Sequence, residues 1–222
     1  MSERQSVGVR PYTDEELQRH LAVDTYGDFV LTDAIRPSFD LQVIPVQGYR
    51  RERYRDPKGA DVPLIAAAVT RQQLFDVFLD LLDPLGEMVD TVLETDHDQN
   101  RDSHRDLFRE QIDLPVLKSH FCEYEDLLMN DGCTGVAVIS NDGPGEVQFD
   151  GHKLLVIYAR NLTPFEEVLR THGIERNDRM KLITEGEHLH STDEKFERAF
   201  EELACRVGVS LGDGRGPGEI PF

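Results

Sequence analysis

Tryptophan is missing from this chain, cysteine occurs only three times, and basic side chains number 24 against 43 acidic ones. The eleven phenylalanines must therefore supply most of the aromatic packing. Cys122, Cys133 and Cys205 are odd in number, widely spaced and form no CxxC pair, so no disulfide framework is encoded and a reducing, cytoplasmic setting is expected. A net charge of −19 repels phosphate backbones, which argues against general binding of nucleic acid or of anionic membranes. No apolar run approaches the ~18 residues that cross a bilayer, and Met1 to Pro11 is polar, so neither a membrane span nor a secretory leader is expected. Catalytic signatures are missing as well. There is no GxGxxG after a strand, no GxxxxGK[ST], and no HExxH, GxSxG or DxDxDG.

What is present suits a globular α+β protein. Hydrophobic residues make up 39% and charged residues 30% of 222 positions, enough for one large domain or two closely packed small ones. Thr13 and Glu16 form a capping box that opens a helix through Leu17 and Leu21. Short strands are expected over Asp28–Asp33 and over Phe39–Val46, where apolar and polar residues alternate. Val62–Val69 is a continuous apolar run, suited to a strand covered on both faces. Leu74, Phe75, Phe78, Leu79 and Leu82 repeat with a helical period that ends before Pro84, and Met88–Glu94 reads as a strand. Asp96–Arg105 is very polar and reads as a loop with an exposed helix starting near Asp102; a helix is expected from Leu114 to Met129, stopped at Asn130-Asp131-Gly132. Strands follow at Thr134–Ile139, Glu146–Phe149 and Lys153–Ala159, with a hairpin signal at Asp150-Gly151. A helix over Thr163–His172, a strand over Met180–Thr184 and a helix capped by Thr192 complete the order.

This order divides into two similar α-β-β-β-α-β units, an internal pseudo-repeat. Residues 1–112 form the first, 113–207 the second, and the Gly/Pro-rich tail 208–222 is expected to be disordered. Leu41-Gln42-Val43 aligns with Val147-Gln148-Phe149, and Val92-Leu93 with Leu182-Ile183. The first unit carries an extra stretch, 45–61, between its second and third strands.

That insertion is one candidate site. Arg50, Arg51, Arg53, Arg55 and Lys58 interleave with Tyr49 and Tyr54, the only basic island on an acidic chain. Guanidinium forks grip carboxylate or phosphate, and a tyrosine ring can stack on a ligand or on an arginine plane. The plainer alternative is a hairpin whose arginines lie against the protein's own carboxylates.

A second candidate is the His-bearing end of each unit. The first reads Glu94-Thr95-Asp96-His97-Asp98, with His104 nearby; the second reads Glu185-Gly186-Glu187-His188-Leu189-His190. In an extended chain His188 and His190 point to one face, and with Glu187 they make a divalent-metal candidate. His-x-His needs further ligands to hold an ion, and His97 or Asp98 is the expected supplier. Cys133 is expected to be a buried structural thiol.

The fold expected is mainly antiparallel sheet with helices on one face. The order of elements, with the low pI and small units, resembles the secretion-chaperone type of fold. The resemblance is one of fold and assigns no function; the missing catalytic motifs and the single basic insertion point to a non-enzymatic protein that holds a partner. The leading expectation is thus a binding or regulatory protein acting through the Arg-rich stretch on a protein, on a small anionic ligand or on a second copy of the chain. The alternative is a metal-binding protein or metal-dependent enzyme built on His188 and His190. No cofactor other than a divalent metal ion is suggested.

Overall fold

Residues 13–55, 61–97 and 104–211 are described by the structure, a computed structural model. Thr13 caps α1 (Asp14–Leu21) through the reciprocal bonds of its capping box. Three short strands follow: β1 (Thr25–Tyr26), β2 (Phe29–Val30) and β3 (Ile35–Pro37). The strand expected over Phe39–Val46 does not form. Leu41 adopts φ 46°, left-handed backbone that breaks extended geometry, and Pro45 lacks the N–H a central strand donates.

The Arg-rich stretch is itself a strand, β4 (Gly48–Arg55), paired along its length with β5 (Asp61–Ala68). Arginine tolerates this position because β4 is the last strand of the sheet: residues 175–178 bond the start of its outer side, around Tyr49 and Arg51, and its later residues are largely exposed. The helix α2 (Arg71–Leu81) follows on the predicted period, then β6 (Met88–Thr95). Instead of the loop and exposed helix expected around Asp102, β7 (Arg105–Asp113) forms an antiparallel partner for β6; 98–103 lie outside the described residues. The predicted 114–129 helix breaks at Tyr124 (φ −115°, ψ 28°) into α3 (Leu114–Glu123) and α4 (Glu125–Asn130).

Strands β8 (Thr134–Ser140), β9 (Gly145–Phe149) and β10 (Leu155–Ala159) run as a meander, followed by α5 (Thr163–Thr171). Met180–Thr184 forms no strand; its side chains pack as an extended segment and a short 3₁₀ turn. Then come β11 (His188–His190), α6 (Glu194–Val207) and β12 (Ser210–Leu211). The α6 cap is Asp193, whose carboxylate accepts the Lys195 amide, rather than Thr192. Of the tail expected to be disordered, Ser210–Leu211 pairs with β7, and 212–222 lie outside the described residues.

The product is mixed helix and antiparallel sheet, as expected. One eight-stranded sheet has the order β12-β7-β6-β8-β9-β10-β5-β4. In it β7-β6 and β5-β4 lie on either side of β8–β10, with β12 added beside β7, and the internal repeat is not confirmed. One sheet face packs on α2–α6 around Phe78, whose ring lies 5.0 Å from Phe149 and 5.6 Å from Phe121. Phenylalanine thus fills the place that tryptophan leaves. The other face, over β5 and β10, is covered by short strands, irregular chain and the 3₁₀ turn, carrying Phe29, Leu31, Ile35, Met180, Leu182 and Ile183. Here β11 pairs with β3 to make a two-stranded ribbon, Leu189 opposite Arg36. That ribbon, the β9–β10 turn and the 131–133 turn meet at one place.

Candidate metal centre

Alternation along β11 puts His188 and His190 on one face, as the sequence predicts. The third member is His152, in the β9–β10 turn, which sequence reasoning missed. One donor atom from each of the three rings lies within 4.8 Å of the others, and ring centroids are 4.8 to 5.2 Å apart. Glu187, expected beside them, is exposed and outside this group; its amide donates to Gln42.

Each imidazole is held by its Nδ1. Asp150 Oδ2 accepts from His152 at 3.1 Å, the Gly186 carbonyl from His188 at 2.8 Å, and the Gly132 carbonyl from His190 at 2.8 Å. A carbonyl or carboxylate can only accept, so these contacts place the proton of each neutral ring on Nδ1 and leave Nε2 with a lone pair. Burial pushes the His190 pKa down, assisted by its two histidine neighbours and opposed by the Gly132 carbonyl. Neutral rings with free Nε2 are the form that ligates metal, and a carboxylate or carbonyl on the other nitrogen is the usual support.

Local chemistry explains why these segments come together. Asp150 closes the turn, its Oδ1 accepting the Leu154 amide while Oδ2 holds His152. Lys153 completes the turn at φ 59° and sends its fully buried amine to the Thr134 carbonyl, 2.8 Å away. Burial pushes that amine down to about 8 against the pull of Asp131 and Asp150. Gly132 brings its carbonyl to His190 by a backbone approach that leaves no room for a side chain: a Cβ there would sit 2.6 Å from the Ala34 oxygen. His152 also lines a small cleft of about 20 Å³, walled by Phe29, Leu31, Val46, Leu74 and Ile183, with Lys181 as a further charged group.

No family model, curated protein or solved structure matches this chain. Its chemistry is read from its residues.

The remaining sequence candidates fall elsewhere. Arg50 contacts Glu52 and Glu185 and donates to the Met180 carbonyl at 2.8 Å; Arg51 forks onto Glu166; Arg53 pairs with Asp61 at 2.8 Å. Tyr54 packs edge-on against Tyr158, and Arg55 is exposed at the strand end. The Arg53–Asp61 pair is more than half exposed on both sides, so Arg53→Ala is expected to change stability by less than about 0.5 kcal/mol in a denaturant titration. His97 does not join His188 and His190; it lies with Asp131 and Cys133, and Asp98 is outside the described residues. His104 meets Asp96 and Asp106.

Glu94 projects over Gly135, with its Oε2 where a β-carbon would approach to 3.0 Å. Burial first, then Asp106, raises its carboxyl to about 7. In the unfolded chain the same group titrates near 4.5, so between these values the fold retains a proton that the unfolded chain has lost. The stability associated with the protonated form is complete below 4.5 and is lost as pH rises through about 7. Glu94→Gln is therefore expected to leave stability unchanged near pH 4.5 and to raise it by about 2 kcal/mol near pH 8, after discounting for partial exposure. Urea titrations of both proteins at the two pH values check this; equal stability near pH 8 would show that the carboxylate is well solvated.

Proposed function

We propose that this chain is a divalent-metal protein of the water-activating kind, built on His152, His188 and His190. The observation that carries the reading is the fixed Nδ1 of all three rings, each held by an acceptor from a different segment. Three imidazoles, with no fourth protein donor grouped with them among the described residues, are the donor set of open catalytic zinc centres rather than of closed structural ones. A zinc-type ion there supplies a Lewis acid that lowers the pKa of bound water towards neutrality. The chain's own residues do the rest. Asp150, Gly186 and Gly132 orient the rings. The reaction class is metal-dependent hydrolysis.

Tag-free protein dialysed against zinc tests this reading. A bound ion that is lost in His188→Ala and His190→Ala, together with zinc-dependent hydrolysis of a small activated ester, is the expected result. Absence of both binding and hydrolysis contradicts it.

The edge position of β4 favours a second reading, in which Arg53, Arg55 and Tyr54 hold an acidic partner or a small anionic ligand. Charge reversal of Arg50, Arg51, Arg53 and Arg55 that leaves every captured partner bound removes that role.

A further inference from the structure

The 131–133 turn also carries a group of different chemistry. His97, Asp131 and Cys133 each present a donor atom within 4.8 Å of the others. Asp131 is fully buried, yet its Oδ1 has no hydrogen-bond partner. His97 Nε2 faces the same carboxylate, 2.9 Å from Asp131 Oδ2, as an ion pair outside strict hydrogen-bond geometry. An orphaned carboxylate oxygen is costly in a protein interior, and Asp131 Oδ1 calls for an explanation.

The surroundings resemble ligand support. His97 Nδ1 lies 2.7 Å from the Thr95 hydroxyl, which steadies the ring with Nε2 turned to Asp131. The Thr134 hydroxyl donates to Asp131 Oδ2 at 2.5 Å, and Thr192 reaches both Asp131 and Cys133. The phenyl ring of Phe200 stands 6.0 Å from His97 and closes the apolar side.

We infer that His97, Asp131 and Cys133 form a second divalent-metal site, separate from the three-histidine centre. One thiolate sulfur, one imidazole nitrogen and one carboxylate oxygen are a borderline-soft set, suited to zinc or cobalt(II) rather than to calcium or magnesium. A cation between the three donors satisfies Asp131 Oδ1 and takes the lone pair of His97 Nε2. Binding displaces the Cys133 thiol proton to solvent and leaves the sulfur as thiolate. The two sites share one piece of backbone, because Gly132, whose carbonyl holds His190, lies between the two residues that ligate here.

Cys122 and Cys205 are exposed and serve as internal controls for a test on the full wild-type chain. Alkylation of each cysteine is followed by peptide mass spectrometry with zinc and with a chelator. Zinc is expected to slow alkylation of Cys133 by at least roughly tenfold and to leave Cys122 and Cys205 unchanged, since a coordinated thiolate is a poorer nucleophile. The same protection is expected in the His188→Ala/His190→Ala double variant, which separates this site from the first. In cobalt(II)-loaded protein a thiolate-to-metal charge-transfer band appears in the near ultraviolet and is lost in Cys133→Ser. Unprotected Cys133 together with an absent charge-transfer band overturns the inference. Protection that disappears in the double variant also overturns it, because the ion would then belong to the three-histidine centre.

Discussion

Saturating zinc is expected to raise the thermal midpoint of the metal-free chain by roughly 8 to 16 °C through the three-histidine centre alone. An ion present at about a thousandfold its dissociation constant stabilises the folded state by about 4 kcal/mol, and in a chain of this size each kcal/mol moves the midpoint by about 2 to 4 °C. The three rings come from two segments, the β9–β10 turn and β11, and an ion across them ties the β3–β11 ribbon to the main sheet. That part of the shift should vanish in the His188→Ala/His190→Ala variant. Neither side chain is in the buried core, so the variant should fold and keep a metal-free midpoint close to that of the parent. Any zinc response that survives there belongs to Cys133 and its neighbours and should disappear when Cys133→Ser is added. A full shift in the variant, unaffected by Cys133→Ser, would place the ion somewhere else.

Gly132→Ala is expected to cost about 3 kcal/mol of stability and to weaken zinc binding at least roughly tenfold. The new Cβ would lie 2.6 Å from the Ala34 oxygen and 2.9 Å from the Ser191 oxygen, both of them backbone. Neither oxygen is free to move. Ser191 donates its amide to Ala34 and Gly132 donates its own to Ser191, each at 2.8 Å, so relief of the clash pulls the end of β11 away from the 131–133 turn. The Gly132 carbonyl then no longer meets His190 Nδ1, and the ring loses the contact that fixes its tautomer. Gly143→Ala, at a turn with nothing within 4 Å of the new carbon, is the matched control and should stay within about 0.5 kcal/mol of the parent. Equal stability of the two variants in denaturant would mean that the ribbon is not seated against this turn.

Two of the three rings of the site were legible in the sequence. His188 and His190 are two residues apart in an extended segment, and a period of two needs no tertiary information to put them on one face. His152 is different. It follows the Asp150-Gly151 turn, which was predicted, but nothing local says that this turn faces β11. That contact depends on β11 pairing with β3 and on the ribbon lying across the sheet, both long-range events. A carboxylate two residues before a histidine was the available local signal, since Asp150 holds the His152 ring. Gly132 was read as a helix stop, although its carbonyl orients His190.

The fold divides in the same way. The sheet class and most helices follow from period and capping, whereas β4 and β7 are charged strands whose regularity comes from pairing rather than from alternation of apolar residues. In Phe39–Val46 the alternation was present and lost to backbone geometry at Leu41 and Pro45. The basic island, which stood out in an acidic sequence, lies as β4 with Arg50, Arg51 and Arg53 on the protein's own carboxylates.

The central claim is that one metal ion binds the three rings through Nε2 while Nδ1 stays held in each. Long-range proton–nitrogen NMR of the imidazoles, recorded during a zinc titration, reads this directly. The account predicts that His152, His188 and His190 are Nδ1-protonated before zinc is added, that their three Nε2 resonances shift together as zinc binds, and that their Nδ1 resonances keep their protons. Nε2 signals of these three residues that stay in place through saturation would contradict it.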